Sequence, residues 1–315
     1  MNDNNFTCRI CGATFDNPES FTAREVRFGW GDEFEYVRCP KCGTVQIRTI
    51  PEDLGIYYSG EYYSLQVRSE ANDNSLLRSL VRRFVVNYRL KGTGLVGRIL
   101  TRIQPDSFEW IVPNSFNRES SIIDIGCGTG RLVLKLAQCG FKNIGGIEPY
   151  IDKDIIYNVG GRDVVIKKGT ADSLTGKYDV LILSHVLEHV ENPDTFVQGL
   201  KKLMHPKSYL VVSLPLLSTF AWKEYGIRSL PFADSPRHLH ILTYDGFCDF
   251  AAKHGLTVVH NTPYFSESAI RDVNGGYSES VAHCDRKKLA ATLLKNNDTG
   301  LNHIWLKLKN EISGQ

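Results

Sequence analysis

From residue 120 to residue 262, short apolar runs alternate with segments whose apolar positions recur at helical spacing. SSIIDIG reads as a buried strand and TGRLVLKLAQCG as an amphipathic helix; NIGGIEP is a strand, IDKDIIYNVGG a helix and DVVIKKG a strand. The pattern continues through YDVLILSHV (strand), DTFVQGLKKLM (helix), YLVVSLP (strand), TYDGFCDFAAKHG (helix) and LTVVHNT (strand), and HIWLKLKN supplies a last strand. Strands alternating with helices in this way build a mostly parallel sheet covered on both faces.

Upstream the pattern is different. Residues 1–50 hold Cys8, Cys11, Cys39 and Cys42, two C-x2-C pairs separated by 27 residues, each followed directly by glycine (CRICG, CPKCG). The remaining four of the eight cysteines, Cys127, Cys139, Cys248 and Cys284, show no pairing pattern. The start has no basic segment followed by an apolar run, and no stretch reaches the length of a membrane span; both features predict a cytoplasmic address. In a reducing compartment, two matched C-x2-C pairs are metal ligands and not disulfides. Four thiolates complete a closed tetrahedral shell, so the expectation is a structural Zn2+ that stabilises a small ribbon.

Residues 51–63, PEDLGIYYSGEYY, form a tyrosine-rich connector. From Asn74 to Pro105 there is no acidic residue, while Arg78, Arg82, Arg83, Arg89, Lys91, Arg98 and Arg102 are present. Within this stretch Leu77, Leu80, Val81, Phe84, Val85 and Tyr88 recur at helical spacing. Such a helix either packs on the following domain with a solvated basic face, or touches a phosphate-bearing substrate or a membrane surface. The formal net charge of +2 selects no class of partner. Glu25, Asp32, Glu33 and Glu35 among the basic residues of the ribbon argue against a nucleic-acid surface. The chain thus divides into a zinc ribbon (1–50), a tyrosine-rich and basic helical connector (51–109) and an α/β domain (110–315).

DIGCGTG, residues 124–130, lies where a strand gives way to a helix. Gly126, Gly128 and Gly130 allow a sharp turn and close approach to a ligand, but the spacing is not the G-x-G-x-x-G of dinucleotide sites. Glu148, 22 residues beyond Gly126 and at the end of the next strand, is placed to accept hydrogen bonds from both ribose hydroxyls. Asp172, in GTADSL, follows the third strand, where a carboxylate can meet an adenine amino group.

DIGCGTG, the IEP at 147–149, TADS at 170–173 and YDVLILSHVLEHV together closely resemble the class I S-adenosylmethionine-dependent methyltransferases, over roughly residues 110–315. The resemblance implies a Rossmann-like α/β fold: a seven-stranded sheet whose last strand is antiparallel. It also implies that Asp124, Gly126 and Gly128 surround the methionine part of the cofactor, with Glu148 on the ribose and Asp172 at the adenine. Cys127 and Gly130 in the same loop, and Ser184 at the end of the fourth strand, complete the expected cofactor set.

HVLEH, residues 185–189, has the H-x-x-E-H spacing of a zinc-peptidase motif, but it follows the fourth strand directly and does not lie within a helix. Ligands of open α/β sheets bind at that carboxyl edge, so its histidines are candidates for moving the acceptor's proton. The candidates are His238, His189 and His185; His240 reads as structural. A zinc ribbon, a tyrosine-rich connector and this domain in series also resemble bacterial sugar methyltransferases. That resemblance implies functional roles for His189 and His238 and a connector tyrosine, Tyr62 or Tyr63, near the acceptor. Arg237 stands where an acid would precede His238, which disfavours carbanion-forming C-methylation. Arg237 is expected near the reacting hydroxyl, with Arg82, Arg83 and Arg89 at a more distant phosphate or surface. The expected reaction is transfer of a methyl group to a hydroxyl of a sugar, free or nucleotide- or lipid-linked, in bacterial surface polysaccharide biosynthesis. C- or N-methylation of a nucleotide-linked deoxysugar or natural product is the alternative.

Overall fold

The computed structural model describes residues 5–26, 28–58, 76–103, 108–217, 234–263 and 301–309. The chain runs through β1 (Asn5–Thr7), β2 (Thr14–Asp16), β3 (Ser20–Arg24), β4 (Glu33–Arg38) and β5 (Val45–Ile47), then α1 (Leu76–Lys91) and α2 (Leu95–Ile103). Next come β6 (Ser121–Ile125), α3 (Arg131–Gln138), β7 (Asn143–Glu148), β8 (Ile155–Val159), β9 (Arg162–Lys168) and β10 (Tyr178–Ser184). Then follow α4 (Pro193–Lys202), β11 (Met204–Pro215), β12 (His240–Ile241), α5 (Tyr244–Lys253), β13 (Leu256–Pro263) and β14 (Leu301–Leu308). Among the described residues no helix is long and apolar enough to cross a membrane.

The largest sheet has eight strands in the order β13-β14-β11-β10-β6-β7-β9-β8. β6 pairs in parallel with both β10 and β7, and β7 in parallel with β9. The strand order therefore reverses at β6, which makes the carboxyl ends of β6, β7 and β10 the crevice where an open α/β sheet binds its ligand. The expected count of seven strands is corrected to eight. The addition is β8, in the segment IDKDIIYNVGG that its apolar content suggested as a helix. Exposure alternates along Ile155–Val159 at period two, and the strand runs antiparallel to β9 with Val159 opposite Arg162. Only Gly160 and Gly161 lie between those partners, at φ +59° and +79°. Two consecutive left-handed residues make the hairpin turn whose twist suits antiparallel strands, and a Gly-Gly pair provides them without strain.

The chain falls into two compact units: residues 1–59, 185–198 and 213–303 form one, and residues 60–184, 199–212 and 304–315 the other. In the second unit, helix α1 contributes Val85, Val86 and Leu90 to a core that includes Trp110, Phe116, Phe141, Ile122, Ile182 and Trp305. The indole N–H of Trp305 donates to the Trp110 carbonyl at 2.8 Å, so this aromatic cluster buries no unpaired group at Trp305.

In the first unit, β1 and β2 form a two-stranded ribbon, and β12 pairs antiparallel with β5 in a four-stranded sheet of order β12-β5-β4-β3. Its core joins Ala23, Tyr36, Val45 and Ile47 to Leu239 and Ile241. The cysteine-bearing segment thus shares one hydrophobic core with residues some 200 positions later, as the Tyr36 hydroxyl shows by donating to the His238 carbonyl at 2.8 Å. Arg237 sits in this unit with no exposed surface. Its Nε and Nη2 donate to Asp234 Oδ1 at 3.1 and 2.9 Å, Nη1 donates to the Tyr57 carbonyl at 3.0 Å, and Glu25 Oε1 lies 3.5 Å from Nη2. Glu25 in turn accepts from the backbone N–H groups of Phe28 and Trp30. Removing the cation would leave two carboxylates buried without it. Arg237→Ala is expected to destabilise the first unit by about 3–5 kcal/mol, read as a lowered urea midpoint. Lysine at the same position should restore little of this, because it lacks the planar fork that meets three acceptors at once.

Candidate functional site

At the carboxyl end of β6 the backbone passes through three left-handed residues, Gly126, Gly128 and Gly130 at φ +69°, +55° and +82°. A Cβ on Gly130 would lie 2.4 Å from Ile166 Cδ1, so this glycine both turns the chain into α3 and lets β9 approach. The turn is pinned by Gly126 N–H donating to the Ile147 carbonyl at 2.8 Å and Gly130 N–H donating to the Cys127 carbonyl at 3.0 Å. Glu148, buried at the end of β7, accepts from Gly128 N–H at 2.8 Å and from Tyr150 N–H at 3.0 Å, one on each carboxylate oxygen. Both bonds fix the carboxylate's direction before any ligand arrives.

Asp124 is 2% exposed, and its Oδ1 has no hydrogen-bond partner. Burial, with the charge of Glu148 added, pushes its carboxyl up to about 8. A buried, under-satisfied carboxyl beside a second one is a receptor for a donor-rich, positively charged group. The Cys127 thiol packs over Gly146 of β7, and burial next to Asp124 and Glu148 pushes its pKa up, so it stays a protonated packing group. Asp172 lies exposed on a single 3-10 turn, Ala171–Ser173, after β9, and Ser184 closes β10 half-buried.

The residue after Ser184 is His185, in the left-handed region at φ +57° and anchored by its N–H to the Ser213 carbonyl at 2.8 Å. A non-glycine residue held there is a strained feature of the kind concentrated at functional sites. A single turn, Leu187–His189, then buries Glu188 completely. Glu188 Oε1 lies 3.1 Å from His185 Nδ1, while Oε2 has no hydrogen-bond partner. Burial alone would raise this carboxyl, but the His185 hydrogen bond and the charges of His189, His185 and His238 outweigh it and hold the pKa below the usual range. Leu239 N–H donates to the Glu188 carbonyl at 2.7 Å, bringing the 234–241 segment alongside.

That segment delivers His238, whose ring centroid is 4.9 Å from that of His189 and whose Nε2 is 3.6 Å from Asp234 Oδ2. His189 Nδ1 is 2.8 Å from the Arg237 carbonyl. A carbonyl only accepts, so Nδ1 carries a proton and donates it there, which leaves Nε2 as the nitrogen not engaged by the carbonyl. Glu188, His189 and His238 present ligand atoms within 4.8 Å of one another. His240 is buried with Nε2 on the Val190 carbonyl at 2.7 Å, and burial lowers its pKa to about 4, so it is a neutral structural group.

The four cysteines meet as the spacing predicts. Cys8 and Cys42 sulfurs lie 3.7 Å apart, those of Cys11 and Cys39 3.6 Å apart, and all four fall within 4.8 Å. Four thiolates at about 2.3 Å from one tetrahedral ion would stand about 3.8 Å apart, so the donor set fits such an ion. The two knuckles repeat each other: Gly12 and Gly43 both have φ +71°, and their N–H groups donate to the Cys8 and Cys39 carbonyls at 2.9 Å. Gln46 Nε2 adds a donor to Cys8 Sγ at 3.0 Å.

A family model described as "Methyltransferase domain" matches residues 98–261, which is 164 of the 315 residues. The chain belongs to the methyltransferase domain family. The ubiquinone biosynthesis O-methyltransferase of Rickettsia bellii (strain OSU 85-389) is 33% identical over 125 residues, 36% of this chain and 52% of that protein. Its namesake in Rickettsia conorii is 25% identical over 189 residues, 58% of this chain and 63% of that protein. The chain thus spans about half the length of the first of these relatives. One solved structure, an S-adenosylmethionine dependent methyltransferase from Mesorhizobium loti, aligns with TM-score 0.42 at 12% identity, over 62% of this chain and 94% of that one.

The methyltransferase domain brings together most residues singled out in the sequence. Asp124, Gly126, Cys127, Gly128, Gly130 and Glu148 form one cluster in the second unit, and His185, His189 and His238 another in the first. Tyr62 and Tyr63 lie outside the described residues; Tyr58 is the connector tyrosine that reaches a histidine, its hydroxyl 3.2 Å from His189 Nδ1. Arg237, expected at the reacting hydroxyl, is instead wholly buried among protein acceptors. Arg82, expected at a phosphate or surface, donates to Gln138 Oε1 at 3.1 Å. The sequence gives no signal for Glu188 and Asp234 beyond their positions in HVLEH and DSPRH, three and four residues from the histidines they face.

The buried carboxyl supplies a test by pH. Between its unfolded value of 3.8 and its folded value of about 8, Asp124 keeps a proton that the unfolded chain has released. Stability from this group therefore falls as pH rises through that window. Asp124→Asn removes the dependence, so its gain in melting temperature over wild type, without cofactor, should be larger near pH 8 than near pH 5. Equal gains at both would contradict the raised pKa.

Proposed function

We propose that this methyltransferase transfers a methyl group from S-adenosylmethionine to a hydroxyl of a sugar or sugar-containing intermediate, in the assembly of bacterial surface polysaccharide. The observation that carries the reading is the cluster of His185, His189 and His238 around the buried carboxylate of Glu188, which begins at the residue following β10. When bound, S-adenosylmethionine supplies an electrophilic methyl group on a sulfonium. Asp124 would meet its ammonium end, the Gly126–Gly130 loop its methionine part, Glu148 the ribose hydroxyls and Asp172 the adenine. The buried Asp124 carboxyl supports this assignment, since its Oδ1 has no hydrogen-bond partner and such a molecule carries donors.

His238 is the proposed base. It would take the acceptor's proton as the oxygen gains the methyl group, and Asp234 would stabilise the resulting imidazolium. His189, with Nδ1 fixed on a carbonyl, would hold the acceptor through Nε2, and Glu188 would keep His185 oriented. Relatives named as O-methyltransferases support a hydroxyl acceptor. The tyrosine beside His189 and the cysteine ribbon sharing a core with His238's segment support a sugar one by resemblance.

C-methylation is a second reading with its own observation. Asp234, four residues before His238 and 3.6 Å from its Nε2, would supply the acid that Arg237 does not. Transfer of an isotopically labelled methyl group, read by carbon NMR of the product, separates an O-methyl from a C-methyl group.

Zn2+ at Cys8, Cys11, Cys39 and Cys42 is proposed as a structural cross-link, all four of its positions being filled by sulfur. One zinc per chain is expected in reduced, purified protein, and none in Cys39→Ser. His238→Ala should lower turnover about a hundredfold or more while cofactor affinity barely changes. Full turnover in His238→Ala, with loss in His185→Ala or His189→Ala, would move the base to the turn after β10.

A further inference from the structure

Helices α1 and α2 form a pair that crosses at Gly97: a Cβ there would stand 2.5 Å from both the Phe84 carbonyl oxygen and Tyr88 Cβ. One side of α1 is committed to the domain core through Val85, Val86 and Leu90. The other carries Leu80 and Phe84, 51% and 42% exposed, and α2 adds Leu95, Val96 and Ile99 at 72%, 52% and 46%. On α2, Leu95, Arg98, Ile99 and Arg102 fall at i, i+3, i+4 and i+7, so apolar and basic groups share one exposed face. Arg83 and Lys91 add exposed charge from α1. No acidic residue lies anywhere between Asn74 and Pro105.

We propose that the α1–α2 pair docks on an anionic phospholipid surface, with Leu95, Ile99, Val96, Leu80 and Phe84 entering the headgroup–acyl boundary and Arg83, Lys91, Arg98 and Arg102 meeting lipid phosphates. Five large apolar side chains exposed on two short adjoining helices have a hydrophobic incentive to leave water, and the basic residues around them select a negatively charged surface. The charge pattern disfavours a second copy of this chain, since a two-fold contact would press two acid-free basic faces together. It disfavours nucleic acid as well, because five large apolar side chains would be left against a polar, charged backbone with nothing to bury them.

The test is co-sedimentation of the full chain with vesicles of pure phosphatidylcholine and with vesicles of phosphatidylcholine and phosphatidylglycerol in equal parts. Binding is expected to the anionic vesicles only, to fall with salt, and to weaken about tenfold or more in Leu95→Glu/Ile99→Glu. Arg98→Glu/Arg102→Glu should also lose the preference for anionic lipid. Unchanged melting temperature and unchanged affinity for S-adenosylmethionine show that the variants are folded. Wild-type protein that ignores both vesicles, or binding that survives Leu95→Glu/Ile99→Glu, overturns the proposal. So does a lipid-free oligomer that the same double variant dissociates, which would give the face to a second copy, or an RNA affinity that only the arginine variant loses.

Discussion

A guanidinium with no contact with water must have its charge answered within the protein, and Arg237 is answered from three places in the sequence. Asp234 is three residues away, Tyr57 lies in the connector, and Glu25 stands in the loop after β3. Buried pairs of this kind add little net stability over apolar packing, but they penalise every arrangement in which one partner is missing. The segment that carries His238 is therefore locked to the cysteine ribbon. The pairing of β12 with β5 and the bond from Ile47 N–H to the Leu239 carbonyl at 3.0 Å repeat that lock along the backbone.

The histidines inherit their geometry from this arrangement. The Arg237 carbonyl fixes the tautomer of His189, and the Tyr36 hydroxyl holds the His238 carbonyl. Asp234 serves two side chains, with Oδ1 on Arg237 and Oδ2 toward His238. Glu188 is the second buried anion, kept ionised by the imidazoles around it. In physical terms, the ribbon braces the segment that carries His238.

Most of the α/β pattern was legible in the chain, because helical and strand periodicities differ and DIGCGTG marks the strand-to-helix turn at β6. Strand β8 was not, since Ile155, Ile156 and Tyr157 fit either periodicity over five residues; only Gly160-Gly161 announced a hairpin. The cysteine knuckles announced themselves by spacing alone. What the spacing could not convey is that their core includes Leu239 and Ile241, a contact across some 200 residues with no local signal. The same applies to Arg237: beside a candidate base it looks like a substrate-binding cation, and only its burial shows that it serves the fold. Asp234 was hidden because a carboxylate four residues before a histidine becomes its neighbour only when the chain turns between them.

Amide hydrogen exchange before and after treatment with a strong thiolate chelator, which would remove the proposed Zn2+, tests the central claim most directly, that ribbon and histidine segments stand or fall as one body. Protection should be lost together in residues 34–47, 186–190 and 234–242, and kept in the strands β6, β7 and β10. Loss confined to residues 5–47, with 186–190 and 234–242 still protected, would contradict the account.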